Sequence, residues 1–112
     1  MDCTDSTGAN LRGANLSGAS IAEAIWEATD LSGANLSEAN LTQSALCNAN
    51  LTGACLRDTK FYEPWLVGAN LTNVDLSEAI INLEFANIDR ISGAILCNTT
   101  MPDGSIRNDH YE

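Results

Sequence analysis

The sequence is poor in the residues that most enzymes and most compact cores depend on. Of its 112 residues only two are Trp, two Tyr and two Phe, and there is one histidine, His110, near the C-terminus. A lone histidine in a polar stretch leaves little room for nucleophile–base pairs or imidazole–metal sites. Five basic residues stand against fifteen acidic ones, a net charge of −10. Direct binding to nucleic-acid phosphate or to an anionic membrane surface needs clustered Lys and Arg, so neither is expected. There is no run of 18 apolar residues, and so no expected membrane span. Residues 1–8 have neither a basic cluster nor an apolar stretch, and no signal peptide is read there. Gly-x-Gly-x-x-Gly, phosphate-loop and His-Glu-x-x-His motifs are absent. No metal or cofactor is expected, and the chain reads as non-catalytic.

What is present is a repeat. Every fifth residue from Leu11 to Ile106 is apolar, twenty positions in all, and twelve of the thirteen Leu fall there. Two residues earlier lies a small position, with eleven of the fifteen Ala. Between the two stands Asn or Asp in many units: Asn10, Asn15, Asp30, Asn35, Asn40, Asn50, Asn70 and Asp75. Neither a helical period of 3.6 nor a strand period of 2 produces this spacing. A period of five, kept in phase from Ala9 to Ile106, implies one short unit stacked many times.

The units Ala9-Asn10-Leu11-Arg12-Gly13, Ala14-Asn15-Leu16-Ser17-Gly18, Ala34-Asn35-Leu36-Ser37-Glu38 and Ala69-Asn70-Leu71-Thr72-Asn73 resemble those of the pentapeptide-repeat family. The segment Ile95 to Gly104 also resembles the closing segment of such proteins from photosynthetic bacteria and plastids. The resemblance implies an all-β fold, a right-handed four-sided (quadrilateral) parallel β-helix with four pentapeptides per coil. Residues 9–108 would then make about five coils, roughly 24 Å long at about 4.8 Å per coil, between tails at 1–8 and 109–112. Residues twenty apart should stack. Gly13, Gly33, Gly53, Asn73 and Gly93 would share a corner that needs positive φ. Side one would be centred on Leu11, Leu31, Leu51, Leu71 and Ile91, and side two on Leu16, Leu36, Leu56, Leu76 and Leu96. Ile21, Leu41, Phe61, Ile81 and Met101 would form side three, and Trp26, Leu46, Leu66, Ala86 and Ile106 side four.

Three residues are wrong for the small inward position: Pro64, Glu84 and Asp89. An unpaired buried carboxylate is prohibitive and proline lacks a donor, so the backbone is expected to bulge at each. Nearby, Ile25, Ala45, Trp65 and Phe85 form a column that should face water on side four. With Tyr62 and Val67 they suggest an interaction surface of Ile25, Tyr62, Trp65, Val67 and Phe85. The alternative is local packing of Trp65 and Phe85 over the bulges.

The acids Glu38, Asp58 and Glu78 form a ladder on another corner. Some pentapeptide-repeat proteins present such carboxylates as a mimic of DNA and bind a type II topoisomerase, inhibiting or protecting it. The plainer reading is a solvated face. The four cysteines, Cys3, Cys47, Cys55 and Cys97, have no Cys-x-x-Cys spacing and read as free thiols, which fits a reducing cytoplasm, with the periplasm and the plastid lumen as the alternative compartments. The expected function is an interaction scaffold for an unknown protein partner, as a monomer or weak homodimer. At the ends, Pro102, Asp103, Gly104 and Tyr111 are expected to cap the C-terminus, leaving the first coil the more open end.

Overall fold

A computed structural model describes residues 8–80 and 92–108. Its backbone follows the five-residue unit. At most corners the amide after a two-residue turn donates to the preceding central carbonyl, as Ala34 N–H does to Leu31 O at 3.0 Å and Ala49 to Leu46 at 3.0 Å. The sides are joined by parallel pairing at twenty-residue spacing: Asn10 with Asp30, Asn15 with Asn35, Ser20 with Asn40 and Ile25 with Ala45. Four such pairings per twenty residues make four sides. Leu31 N–H donates to Asn50 O at 2.8 Å, and Asn50 N–H to Thr29 O at 3.0 Å. Where the rungs form, the open edge of one coil is saturated by the next.

The central residues fill the interior. Leu31, Leu36, Leu41, Leu46, Leu51, Phe61, Leu71 and Leu76 are completely buried, with Leu56 and Leu66 at 1% exposure. Each such side chain contributes about 1.5–3 kcal/mol. Leu11, Leu16, Ile21 and Trp26 of the first coil pack against this core but are only partly buried. A terminal coil is covered on one side only, and its central residues are correspondingly less buried.

Two local rules explain the rest of the unit. Positive φ occurs at every kind of corner, not one: Gly33 at 69°, Glu38 at 62°, Gln43 at 55° and Asn48 at 61° lie on four successive sides. The Asn or Asp before each central residue accepts from the backbone two residues on. Where that residue is Ser or Thr, its hydroxyl in most units donates to the same oxygen; Ser17 donates only its N–H. Thr52 donates its N–H at 3.1 Å and its Oγ1 at 2.6 Å to Asn50 Oδ1, and Thr72 does the same to Asn70. This side-chain turn explains why Asn recurs there and why Ser or Thr follows it.

Among the described residues the spacing of the paired positions changes from twenty to twenty-five at one point. Asn70 pairs with Ile95, and Asp75 with Thr100, twenty-five residues on. One whole unit is inserted between Ile80, which still pairs with Lys60, and Ser92, whose carbonyl accepts from Gly68 at 3.0 Å. The unit phase survives and the sides are re-indexed. Gly93 therefore lies over Gly68, not above Asn73. Leu96 follows Leu71 on side one, and Met101 follows Leu76 on side two. Ile106 is not inward: it is 60% exposed, in a strand β2 (Ile106–Arg107) that pairs antiparallel with β1 (Thr99–Thr100). Between them Met101 N–H donates to Ser105 O at 2.7 Å, and Asp103 Oδ1 accepts from Ser105, so the chain turns back at Pro102–Gly104 as expected.

Pro64 makes no bulge. Trp65 N–H still donates to Ser44 O at 3.0 Å, and Leu46 N–H to Trp65 O at 2.8 Å. The small inward position uses its N–H only to close the corner turn, so proline there forgoes one bond and leaves the side pairing intact. Glu84, Asp89 and the bulges expected of them lie outside the described residues, as do Ile81, Ala86 and Ile91.

Candidate interaction surfaces

The residues expected on side four do not form one open patch. Pairing of Ile25 with Ala45 and of Ala45 with Trp65 stacks the column as the sequence implies. Ile25 is 51% exposed, but Ala45 is completely buried, and Trp65 and Val67 are half-buried. Two other positions on this side that should face water, Glu27 and Cys47, are also buried, at 2% and 0%. Side four is covered over its middle. Tyr62, on side three, is 36% exposed and Ile80 41%. Among the described residues three of the four exposed large apolar side chains, Ile25, Tyr62 and Ile80, sit on sides three and four around a covered centre, and the fourth, Ile106, lies apart in β2; Ile80 is the member the sequence does not single out, since the period marks it only as an outward position. Phe85 lies outside the described residues.

The acidic ladder is present in part. Glu38 and Asp58 are exposed at corners with φ of 62° and 57°. Arg57 Nε stands 3.6 Å from Glu78 Oε2, which places a cation inside the row. Both side chains are more than half exposed, so the pair adds little to stability. A second exposed row is tied differently: Gln43 Nε2 donates to Glu63 Oε1 at 3.0 Å. Further along, Asn98 Nδ2 donates to Asn73 Oδ1 at 2.9 Å.

Three carboxylates are electrostatically distinct. Asp30, Asp75 and Asp103 are held below the ordinary value of 3.8, first by the hydroxyl of the Ser two residues on and then by its backbone N–H. These bonds favour the charged form.

The cysteines differ from the expectation of four free thiols. Cys47 is disulfide-bonded, while Cys55 and Cys97 are free and exposed. A disulfide weakens the argument for a reducing compartment. The inserted unit also separates Cys55 and Cys97, which the twenty-residue spacing had placed on one side: Cys97 belongs to side one and Cys55 to side two.

Side two carries one further irregularity. Asn35 pairs with Cys55 and Asp75 with Thr100, but among the described residues Cys55 and Asp75 do not pair. Neither Leu56 N–H to Asp75 O nor Asp75 N–H to Ala54 O is formed, the two bonds this position makes in the neighbouring coils. At the adjoining corner Asp58 N–H reaches Glu78 O at 2.8 Å, one residue beyond the acceptor used by Gly18, Glu38 and Gly53 in equivalent places. A hollow of about 310 Å³ opens there, and Ala54, Cys55, Leu56, Arg57, Asp75 and Glu78 are among its lining residues.

Comparison with known proteins agrees with the unit structure. The family model described as pentapeptide repeats matches residues 1–25, 27–62 and 54–92, with eight copies. Among solved structures, a pentapeptide repeat protein (Rfr23) from the cyanobacterium Cyanothece 51142 is 36% identical, over 68% of this chain and 47% of its own, with a TM-score of 0.49. HetL from Nostoc sp. strain PCC 7120, a pentapeptide repeat protein involved in heterocyst differentiation regulation, is 31% identical over 89% of this chain and 54% of its own, with a TM-score of 0.29. A third, from the thylakoid lumen of Arabidopsis thaliana, is 24% identical over 86% of this chain and 70% of its own, with a TM-score of 0.30. The chain spans about half the length of the first two. No curated protein matches it. With most of its length matched by the family model and its backbone built on the same five-residue unit, the chain belongs to the pentapeptide-repeat family, which has no known catalytic role.

Proposed function

We propose that this protein is a non-catalytic interaction scaffold, a right-handed four-sided β-helix whose partner is another protein. The observation that carries the reading is the group of exposed and half-exposed apolar side chains on sides three and four: Ile25, Tyr62, Trp65, Val67 and Ile80. The backbone holds Ile25 and Trp65 on a ladder through Ala45, and Ile80 through Lys60, so they are presented with little conformational freedom to lose on binding. Trp and Tyr are the residues that most often dominate binding energy at such surfaces.

Replacing Trp65 by Ala should weaken partner binding by about 2 kcal/mol or more if it is an anchor. Capture from a host lysate with the native chain and with Trp65→Ala, beside the melting temperature of both, is the test. Lost capture at an unchanged melting temperature supports the reading. Unchanged capture with a lowered melting temperature makes Trp65 a packing residue and overturns it.

A second reading is a DNA mimic that binds a type II topoisomerase. Glu38 and Asp58 favour it, as stacked exposed carboxylates. The Arg57–Glu78 pair counts against it, because a guanidinium interrupts the row where a phosphate mimic needs unbroken negative charge. A gyrase supercoiling assay separates the two readings.

A further inference from the structure

The missing rung on side two has a local cause. Four of the small inward positions hold a β-branched residue: Thr29, Thr59, Val74 and Thr99. The rungs beside the three threonines are intact, including Asp30 with both Asn10 and Asn50, and Lys60 with both Asn40 and Ile80. Bulk alone therefore does not part the coils. What Val74 lacks is a hydroxyl. Thr59 Oγ1 donates to Leu36 O at 2.6 Å, across to the coil before, and Thr99 Oγ1 donates to Leu71 O at 2.7 Å in the same way. The equivalent acceptor for position 74 is Leu51 O. Val74 is completely packed, at 1% exposure, and brings the same branched volume with nothing to draw it down.

We propose that the parted rung is a binding slot for a peptide-type amide of a partner chain, held open by Val74. The proposal deepens the scaffold reading and rests on it. An intact rung joins one N–H and one C=O from each coil. Parting it frees Leu56 N–H and Asp75 O, and Asp75 N–H and Ala54 O, beside the hollow that these residues line. A group that fills the gap must accept from one coil and donate to the other. A carboxylate only accepts and an ammonium only donates, whereas an amide does both in one plane. A backbone amide of an extended segment is the form in which proteins most readily offer that pair to a sheet.

Cys55 lines the hollow with a free, exposed thiol, and Cys97, equally free and exposed, lies on side one as an internal control. The full chain is treated at limiting reagent with iodoacetamide, which carries a carboxamide, and separately with methyl methanethiosulfonate, which is small, neutral and has none. Mass spectrometry gives the Cys55 to Cys97 modification ratio. The expected ratio is about two- to tenfold higher with iodoacetamide, the range of one net hydrogen bond. In Val74→Thr and Val74→Ala the excess should vanish, and the Leu56 and Asp75 amides should gain protection from hydrogen exchange. Equal ratios for the two reagents in the native chain would mean that the slot holds only water, and an excess that survives Val74→Thr would detach it from the rung. Either result overturns the proposal, and neither bears on capture through Trp65, so the two readings fail separately.

Discussion

The corner geometry gives a test in which the usual ranking of Gly and Ala reverses. Gly33 has φ of 69°, and a Cβ added there would meet nothing within 4 Å. Gly33→Ala therefore introduces no clash with a neighbour, only backbone strain. Left-handed backbone costs a residue with a Cβ about 1–2 kcal/mol. The shorter list of unfolded conformations returns about 0.4–1 kcal/mol. The net expected loss is about 1 kcal/mol, a fall of about 4 °C for a chain of this size. Ala28 occupies an equivalent corner with φ of 60°. Ala28→Gly should release the same strain against the same entropy and raise stability by up to about 1 kcal/mol. Chemical denaturation of both variants beside the native chain measures it, with the slope watched for a change in the unfolded state. If Gly33→Ala is neutral, or Ala28→Gly is destabilising, positive φ at the corners is not what these positions select for.

Other consequences follow from the packing and the charges. Ala34→Leu, in the middle of the small inward column, should cost about 1–3 kcal/mol or more by overpacking. The same change at Ala54, which borders the hollow, should cost less, and equal losses in thermal melts would count against relief of packing there. Asp30, Asp75 and Asp103 have folded pKa values below their unfolded ones, so they contribute stability above pH about 3.9 and lose it as pH falls further. Asp75→Asn keeps the acceptor and removes the titration; its acid limb should be shallower than the native one, and an identical limb would exclude this carboxylate as a contributor. In native-state hydrogen exchange the amides of Asp30 and Leu31 should outlast those of Leu11 and Leu16, because the first coil has a neighbour on one side only.

The period and the inward Leu column were legible because packing acts on every unit alike. The corner rule was read for one column alone, since glycine announces positive φ and Glu38, Gln43 or Asn48 do not. Both partners of the bond between Asn50 and Thr52 are visible in the sequence as recurring residue types, but the period does not say that they bond within one unit. The inserted unit could not be seen: adding five residues to a five-residue repeat leaves the pattern untouched, and only hydrogen bonds such as Leu71 N–H to Ile95 O reveal it. Burial of Ala45, Glu27 and Cys47 was equally hidden, because the period says which way a residue points and nothing of what lies over it. Pro64 was misjudged for a simpler reason, a donor counted as needed for side pairing at a position that does not use it.

The inserted unit changes how the surface can be varied. In most folds an insertion disturbs the core or is exiled to a loop. Here, a length equal to the repeat works like a slip of one tooth in a ratchet: the interior meshes as before while everything after it moves around the axis by one side. Asn98 meets Asn73 only because of that slip; in unbroken spacing residue 93 would have occupied the place. A change in length at one point thus redistributes every later outward residue among the four sides without altering any of them, and two relatives of similar sequence can present unlike faces to their partners.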